Sequence, residues 1–300
     1  MNENKNAYIT LFSNEDYIYC ILGLYSSWKQ QEHKYPFYCA CTEDIKPETI
    51  NILKGLGINI LMIPTLEYSK TLKANNIRRN MQAMFFRALP KLQIWSLNQF
   101  DKLVYLDADT FIFQNLDDLF EKPHMSGVVD LAFLKADNPD WEIDGDKWFR
   151  YFNAGMLVIE PQEGLTNKIV DFMEWLPLDR NSDQAILQAY YRNWPSRHNL
   201  HLSVYYNVLA SALDVYESYG FEDKNIKLMH FVDKYKPVPA LWKDEVLTIN
   251  GGRPYLHAAI AAYFNFINDY ILECKENNLL PSDFKTIGEL KGKKENTNAK

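Results

Sequence analysis

Short apolar runs alternate with segments of helical periodicity through the first part of the chain. YITLF at 8–12 precedes a helical pattern over 15–31, FYCAC at 37–41 precedes another over 47–55, and INILMI follows at 58–63. This order predicts parallel strands joined by crossover helices, hence an α/β sheet. Pro47, after the cluster Thr42-Glu43-Asp44, suits an early helical position, and Gly55 and Gly57 suit the stop before the next strand. A polar, loop-like stretch over 68–80 leads into an aromatic-rich helical pattern over 81–99. LVYL at 103–106 then reads as a fully buried strand, GMLVIE at 155–160 as another near the same centre, and 182–192 as a helix. The most apolar late stretch, 254–272, is interrupted by Asn265, Asn268 and Asp269, which predicts a packed amphipathic helix and not a bilayer span. The closing KGKKENTNAK is a polar tail with too little apolar surface to order itself.

Composition narrows the partners. A chain of 300 residues with 47% hydrophobic side chains can bury one large core, or a core with a smaller appendage. A formal net charge of −7 provides no global basic field for a polyanion, so nucleic acid is not the expected partner. The opening MNENKNAYITLFSNEDYIYC lacks the basic start, apolar core and small-residue cleavage pattern of a secretion signal, so a cytoplasmic protein without a transmembrane segment is expected. Four cysteines do not make a disulfide framework in this length. Cys39 and Cys41, one residue apart in a strand, should face one side as reduced core thiols.

The chemistry concentrates where the LVYL strand ends. Asp107 and Asp109 flank Ala108, and if strand geometry continues their carboxylates project to the same side. There they would offer oxygen ligands to one hard divalent cation, whose charge could neutralise a diphosphate leaving group. Aspartates also populate ordinary solvated turns, so the pair alone is a weak signal. Its place strengthens it, because ligands of open α/β sheets gather at the carboxyl ends of the strands.

The run from Lys91-Leu92-Gln93-Ile94-Trp95 through Leu106-Asp107-Ala108-Asp109-Thr110 to Asn115-Leu116-Asp117-Asp118-Leu119-Phe120 resembles the central block of the family-8 retaining glycosyltransferases, which include glycogenin and galactinol synthase. Tyr8 through Tyr17, Phe152-Asn153-Ala154-Gly155, Asp183-Gln184, Tyr206-Asn207, and His230-Phe231 followed by Lys236-Pro237 extend the resemblance in family order over roughly residues 7–238. It implies a GT-A type, Rossmann-like α/β fold with a mixed, mostly parallel sheet. The implied catalytic domain spans 1–238; beyond the resemblance, a helical extension over 239–288 packed on it and a disordered tail over 289–300 are expected. It further implies a UDP-sugar donor, manganese (or magnesium) as cofactor, and transfer of a hexose, glucose or galactose, to a glycan, lipid-linked or protein hydroxyl.

Residue by residue, the resemblance implies that Asp107, Asp109 and His230 bind the metal, with Ala108 between the two acids at the donor site. A histidine beside carboxylates suits manganese better than calcium. Lys236 is implied at the diphosphate, where negative charge grows as the nucleotide departs. Leu11, Ser13, Asn14 and Tyr17 match the segment that meets the nucleoside. Lys91, Asp130, Asn153, Ala154, Asp183 and Gln184 match residues around the donor sugar. Asp183, Gln184, Asp130 and Lys236 are the catalytic candidates. Asp183 and Gln184 also open the helical pattern over 182–192, where an acid serves equally to start a helix. Retention is expected through same-face attack, with Gln184 stabilising an oxocarbenium-like state, since an amide makes a poor nucleophile here.

The chain departs from the family pattern at several positions. Asp233 stands where the late motif has glycine, Val238 where it has tryptophan, and Arg180 where glycogenin has an acid. Asp214 stands where glycogenin presents its self-glucosylated tyrosine, with Tyr216 and Tyr219 close by. Two alternatives follow: a self-glycosylating protein, and a catalytically silent sugar-nucleotide or glycan binder. The segment after 239 has no assignable match; packing on the catalytic domain, dimer formation and acceptor holding are its open roles.

Overall fold

A computed structural model describes residues 5–66, 87–130, 151–176, 182–218, 220–232, 235–238 and 254–290. Expectations for the 68–80 loop, Arg180, Tyr219, Asp233 and the last ten residues fall outside this set.

Strands β1 (Asn6–Phe12), β2 (Phe37–Thr42), β3 (Asn59–Ile63), β4 (Lys102–Leu106), β6 (Gly127–Val129) and β7 (Phe152–Ile159) form one sheet in the order β3-β2-β1-β4-β7-β6. The first four are mutually parallel, and β7 runs antiparallel to β4 and to β6. The sheet is therefore mixed and mostly parallel, and GMLVIE does lie beside LVYL, with Leu106 opposite Met156. A second sheet has the order β5-β9-β8, from β5 (Thr110–Ile112), β8 (Val208–Leu209) and β9 (Leu228–His230).

Successive residues of the central strands point to opposite faces, and the core divides accordingly. Tyr8, Val104, Leu106, Met156 and Val158 join a cluster beneath α1 (Ile18–Lys29), α2 (Pro47–Gly55) and the C-terminal helix. Ile9, Leu103, Tyr105, Leu157 and Ile159 join a second cluster with α3 (Leu165–Met173) and α4 (Asp183–Tyr190). Burial on both faces explains why these strands read as continuous apolar runs.

Pro47 opens α2, and Gly57 adopts φ +92° just beyond its end, a conformation that suits a residue without Cβ. Cys39 and Cys41 do share a face, with sulfurs 3.7 Å apart, and all four cysteines are buried free thiols. The helical pattern over 81–99 is corrected within its described part: Leu89–Ser96 forms a 3-10 helix. Pro90 near its start removes an amide donor, and Trp95 and Ile94 are buried by the sheet.

Beyond α5 (Leu213–Ser218), the 254–272 pattern becomes α6 (Pro254–Glu276), with Leu256, Ile260, Tyr263, Phe264, Ile267 and Ile271 buried in the first cluster. Among the described residues no helix is long and apolar enough to cross a membrane. Tyr263 stacks on Phe231 at 4.0 Å between ring centroids, and a Cβ on Gly23 of α1 would come within 2.8 Å of the Tyr263 ring. This close approach is what lets α6 settle against α1.

Asp117, from the Asn115–Phe120 block, acts as a scaffold. Its carboxylate accepts the Tyr8 hydroxyl at 2.7 Å and the Lys34 amide at 2.9 Å, joining β1 to the loop before β2.

Candidate active site

The ends of β1 and β4 and the start of β7 meet at one edge of the central sheet. A cleft of about 330 Å3 opens there, lined by Leu11, Ser13, Asn14, Tyr17, Lys91, Asp107, Ala108, Asp109, Asn153, Asp183, Gln184, His230 and Lys236. Thirteen of the fifteen residues singled out from sequence thus share one cavity. Ala154 and Asp130 stand immediately behind it.

The two acids converge for a reason other than the one expected. β4 ends at Leu106, and the Thr110 amide bonds back to the Asp107 carbonyl at 3.2 Å, so Asp107–Thr110 is a turn and not continued strand. Each acid is tied to a different sheet. The Asp107 amide donates to Gly155 O of β7 at 2.7 Å, and Asp109 O accepts the Phe231 amide at 2.9 Å, beside the register pair Thr110 and His230.

Within each carboxylate the two oxygens have different partners. Asp107 Oδ1 accepts from Tyr105 Oη (2.6 Å) and Lys91 Nζ (3.1 Å), while Asp109 Oδ2 accepts from Lys236 Nζ (2.7 Å). The remaining oxygens, Asp107 Oδ2 and Asp109 Oδ1, lie 3.7 and 3.3 Å from His230 Nε2. Among the described residues these three side chains form a group able to hold a metal ion. Two carboxylate oxygens and one imidazole nitrogen, each on the open side of its group, fit a divalent cation of the manganese or magnesium type.

Burial opposes ionisation of Asp109, but the neighbouring Lys236 ammonium and the His230 ring outweigh it and hold the carboxyl well below the usual range. Burial likewise opposes the charge on Lys236, and Asp109 overcomes it, so the ammonium is retained far above neutral pH. Lys236 Nζ also lies 3.4 Å from Tyr17 Oη and 5.2 Å from its ring, and burial pushes that phenol up to about 12.

The opposite wall is hydrogen-bonded throughout. Lys91 is 1% exposed; its Nζ reaches Ala154 O (2.6 Å), Asp107 Oδ1 (3.1 Å) and Asp183 Oδ2 (3.0 Å) and sits over the Tyr105 ring. Ser182 caps α4, its hydroxyl accepting the Ala185 amide, and the Asp183 carboxylate is thereby left to pair with Lys91. Gln184 Oε1 accepts the Ala154 amide at 2.8 Å and Nε2 donates to Asp130 Oδ2 at 2.7 Å, so Ala154 and Asp130 act on the cleft through Gln184 and Lys91.

Sequence reasoning missed Tyr105, Arg87, Ala88, Ser182 and Val232 in the lining. Tyr105 stands two residues before Asp107, so strand alternation could have found it. Ser182 immediately precedes the helical pattern, the ordinary cap signal. Asn207, placed in the motif series without a role, donates to Asn153 Oδ1, which also accepts the Gly155 amide.

Of the family departures, Val238 is buried in the core, and Tyr216 is 4% exposed and packed against Phe221. A buried Tyr216 is poorly placed to receive a sugar.

Comparison with solved structures identifies the fold. The chain has a GT-A glycosyltransferase fold: it superposes on the galactosyltransferase LgtC, determined with donor and acceptor sugar analogues, with TM-score 0.55 at 15% identity, covering 88% of this chain and 95% of that one. The glycosyltransferase GlyE of Streptococcus pneumoniae TIGR4 gives TM-score 0.52 at 18% identity over 94% of this chain and 66% of its own. Residues 8–244 match Glycosyl transferase family 8, and the chain belongs to that family. It is 26% identical to glycogenin-1 of Mus musculus over 81% of this chain and 68% of the relative, and 26% identical to galactinol synthase 2 of Solanum lycopersicum over 92% and 84%. It spans 51% of glycogenin-1 of Caenorhabditis elegans.

Proposed function

We propose that the chain transfers a hexose, glucose or galactose, from a UDP-sugar to a hydroxyl of a carbohydrate, glycolipid or protein, with manganese (or magnesium) as cofactor and retention of configuration. The convergence of Asp107 Oδ2, Asp109 Oδ1 and His230 Nε2 beside the Lys236 ammonium carries this reading. A divalent cation held by those three atoms supplies positive charge against a departing diphosphate. The lining includes three carboxylates, Asp107, Asp109 and Asp183, against three cationic side chains, Arg87, Lys91 and Lys236, a neutral balance that a divalent cation turns to +2. That sign suits a diphosphate.

Lys236 Nζ, 2.7 Å from Asp109 Oδ2 in the cleft lining, would offset the negative charge that grows on the departing phosphate. Tyr17 offers an aromatic wall on the nucleoside side. Gln184, held at both ends by Ala154 and Asp130, presents a fixed amide dipole where positive charge develops on the sugar. Asp107, Asp109 and Asp183 each face a lysine, so a carboxylate nucleophile would have to leave an ion pair. Their engagement supports same-face attack, in which the leaving phosphate takes the acceptor proton.

The test is release of UDP from a panel of UDP-sugars with manganese and with EDTA. Release from UDP-glucose or UDP-galactose that EDTA abolishes, and that Asp109→Asn lowers at least a hundredfold, is expected. Release unaffected by EDTA and by Asp109→Asn would remove the metal assignment, and absence of both release and UDP binding would remove the function.

A further inference from the structure

A second cavity, of about 210 Å3, shares no residue with the cleft. It lies at the far end of α4, whose eight residues, about 12 Å of helix, start at Asp183 in the cleft and end at Tyr190 in the cavity wall. Tyr190, Tyr191 and His124 supply aromatic walls, Arg192 and Arg197 stand at the margin, and Trp194 lies beneath.

Its formal charge is one-sided. The cavity lining contains no carboxylate, and among the described residues neither Arg192 nor Arg197 has an acidic partner, although the chain carries a net charge of −7. The polarity of the wall follows from one backbone bond. The Glu160 amide donates to His124 Nδ1 at 3.0 Å, so in the neutral ring the proton sits on Nε2. Nε2–H then donates to Tyr191 Oη at 3.1 Å. The Tyr191 oxygen is an acceptor in that pair, and its own hydroxyl hydrogen has no acceptor among the described residues. Burial lowers the affinity of His124 for a second proton, which preserves this polarity at neutral pH. The floor is also conformationally committed: Met125 adopts φ +65°, uncommon for a residue with a side chain, and its carbonyl accepts the Trp194 indole N–H at 2.8 Å.

Two guanidinium groups and one unspent phenolic hydrogen call for a ligand with several anionic oxygens, and the flanking tyrosine rings, nearly perpendicular at 77°, suit the apolar face of a sugar. We propose that this cavity is a second carbohydrate site that takes a sugar phosphate, the phosphate on Arg192, Arg197 and the Tyr191 hydroxyl and the sugar ring against Tyr190 and Tyr191. A phosphate matches better than a carboxylate because its terminal oxygens can serve three donors together. The site is independent of the transfer reaction assigned to the cleft.

Calorimetric titration of the full chain with glucose 1-phosphate, glucose and inorganic phosphate, each with and without UDP and manganese, tests the proposal. Glucose 1-phosphate should bind at least tenfold more tightly than either fragment, remain bound when UDP and manganese are present, and lose at least tenfold in affinity in the Arg192→Ala/Arg197→Ala variant at unchanged melting temperature. Absence of binding, equal binding of inorganic phosphate, displacement by UDP, or an unaffected double variant would each overturn it. UDP release from the cleft is expected to be unchanged in the double variant. Failure of the cleft assignment would remove that release without touching the titration.

Discussion

At the scale of single residues, Gly155 and Asp109 bear the tightest constraints. A Cβ at Gly155 would fall inside the van der Waals envelope of His230 Cε1 and Nδ1, so the imidazole occupies the space that any other residue would fill. Gly155→Ala is expected to swing His230 away from the aspartates and weaken manganese binding by about 10–100-fold, the range for loss of a group that orients a ligand, as read by titration calorimetry. Asp109→Asn acts differently, because it removes the carboxylate that pairs with the buried Lys236 ammonium at 2.7 Å. Loss of one partner of a buried pair costs about 3–5 kcal/mol, so denaturant unfolding should show a loss of that order. Restoring neutrality with Lys236→Met in the same chain should recover part of it.

At the scale of elements, the loop before β6 carries a titration that stability should report. His124 is pushed down to about 4, chiefly by burial, with Arg197 and Lys102 adding to the depression and Glu160 opposing it. The unfolded ring binds its proton near pH 6.5, so between pH 6.5 and 4 the unfolded state holds the extra proton and stability falls as pH falls. The loss from this group between pH 7 and pH 5 is about 2 kcal/mol, and His124→Gln should flatten that part of the profile. The elements differ in how openly the sequence declares them. β1, β2, β4, β7 and α2 could be read directly, because strands buried on both faces leave uninterrupted apolar runs and Pro47 marks a helix start. The turn at Asp107–Thr110 could not, since D-A-D-T is compatible with continued strand. What bends it is the bond from Asp107 to Gly155 and the pairing of Thr110 with His230, contacts made with residues 48 and 120 positions further on. For the same reason Lys91 was legible as a site residue, but its three acceptors, drawn from the turn after β4, from β7 and from α4, were not.

At the scale of the molecule, α6 begins beyond residue 244, where the family match ends, yet it packs behind the site. Tyr263 covers Phe231, whose amide fixes Asp109, and the same ring presses on Gly23 of α1, the helix that follows Tyr17. Tyr263→Ala should cost about 3–5 kcal/mol, as other large core truncations do. Tyr263→Phe should be neutral or stabilising in thermal unfolding, since the phenolic oxygen is buried with no hydrogen-bond partner among the described residues.

Asp107 is anchored to the six-stranded sheet and Asp109 to the three-stranded one, so the candidate metal-site pair straddles the seam between the two sheets. A cation bound there acts as a rivet. It should slow amide hydrogen exchange at Met229 and Phe231 on one side and at Gly155 and Met156 on the other, in concert, because opening either sheet at that edge would require the ion to be released.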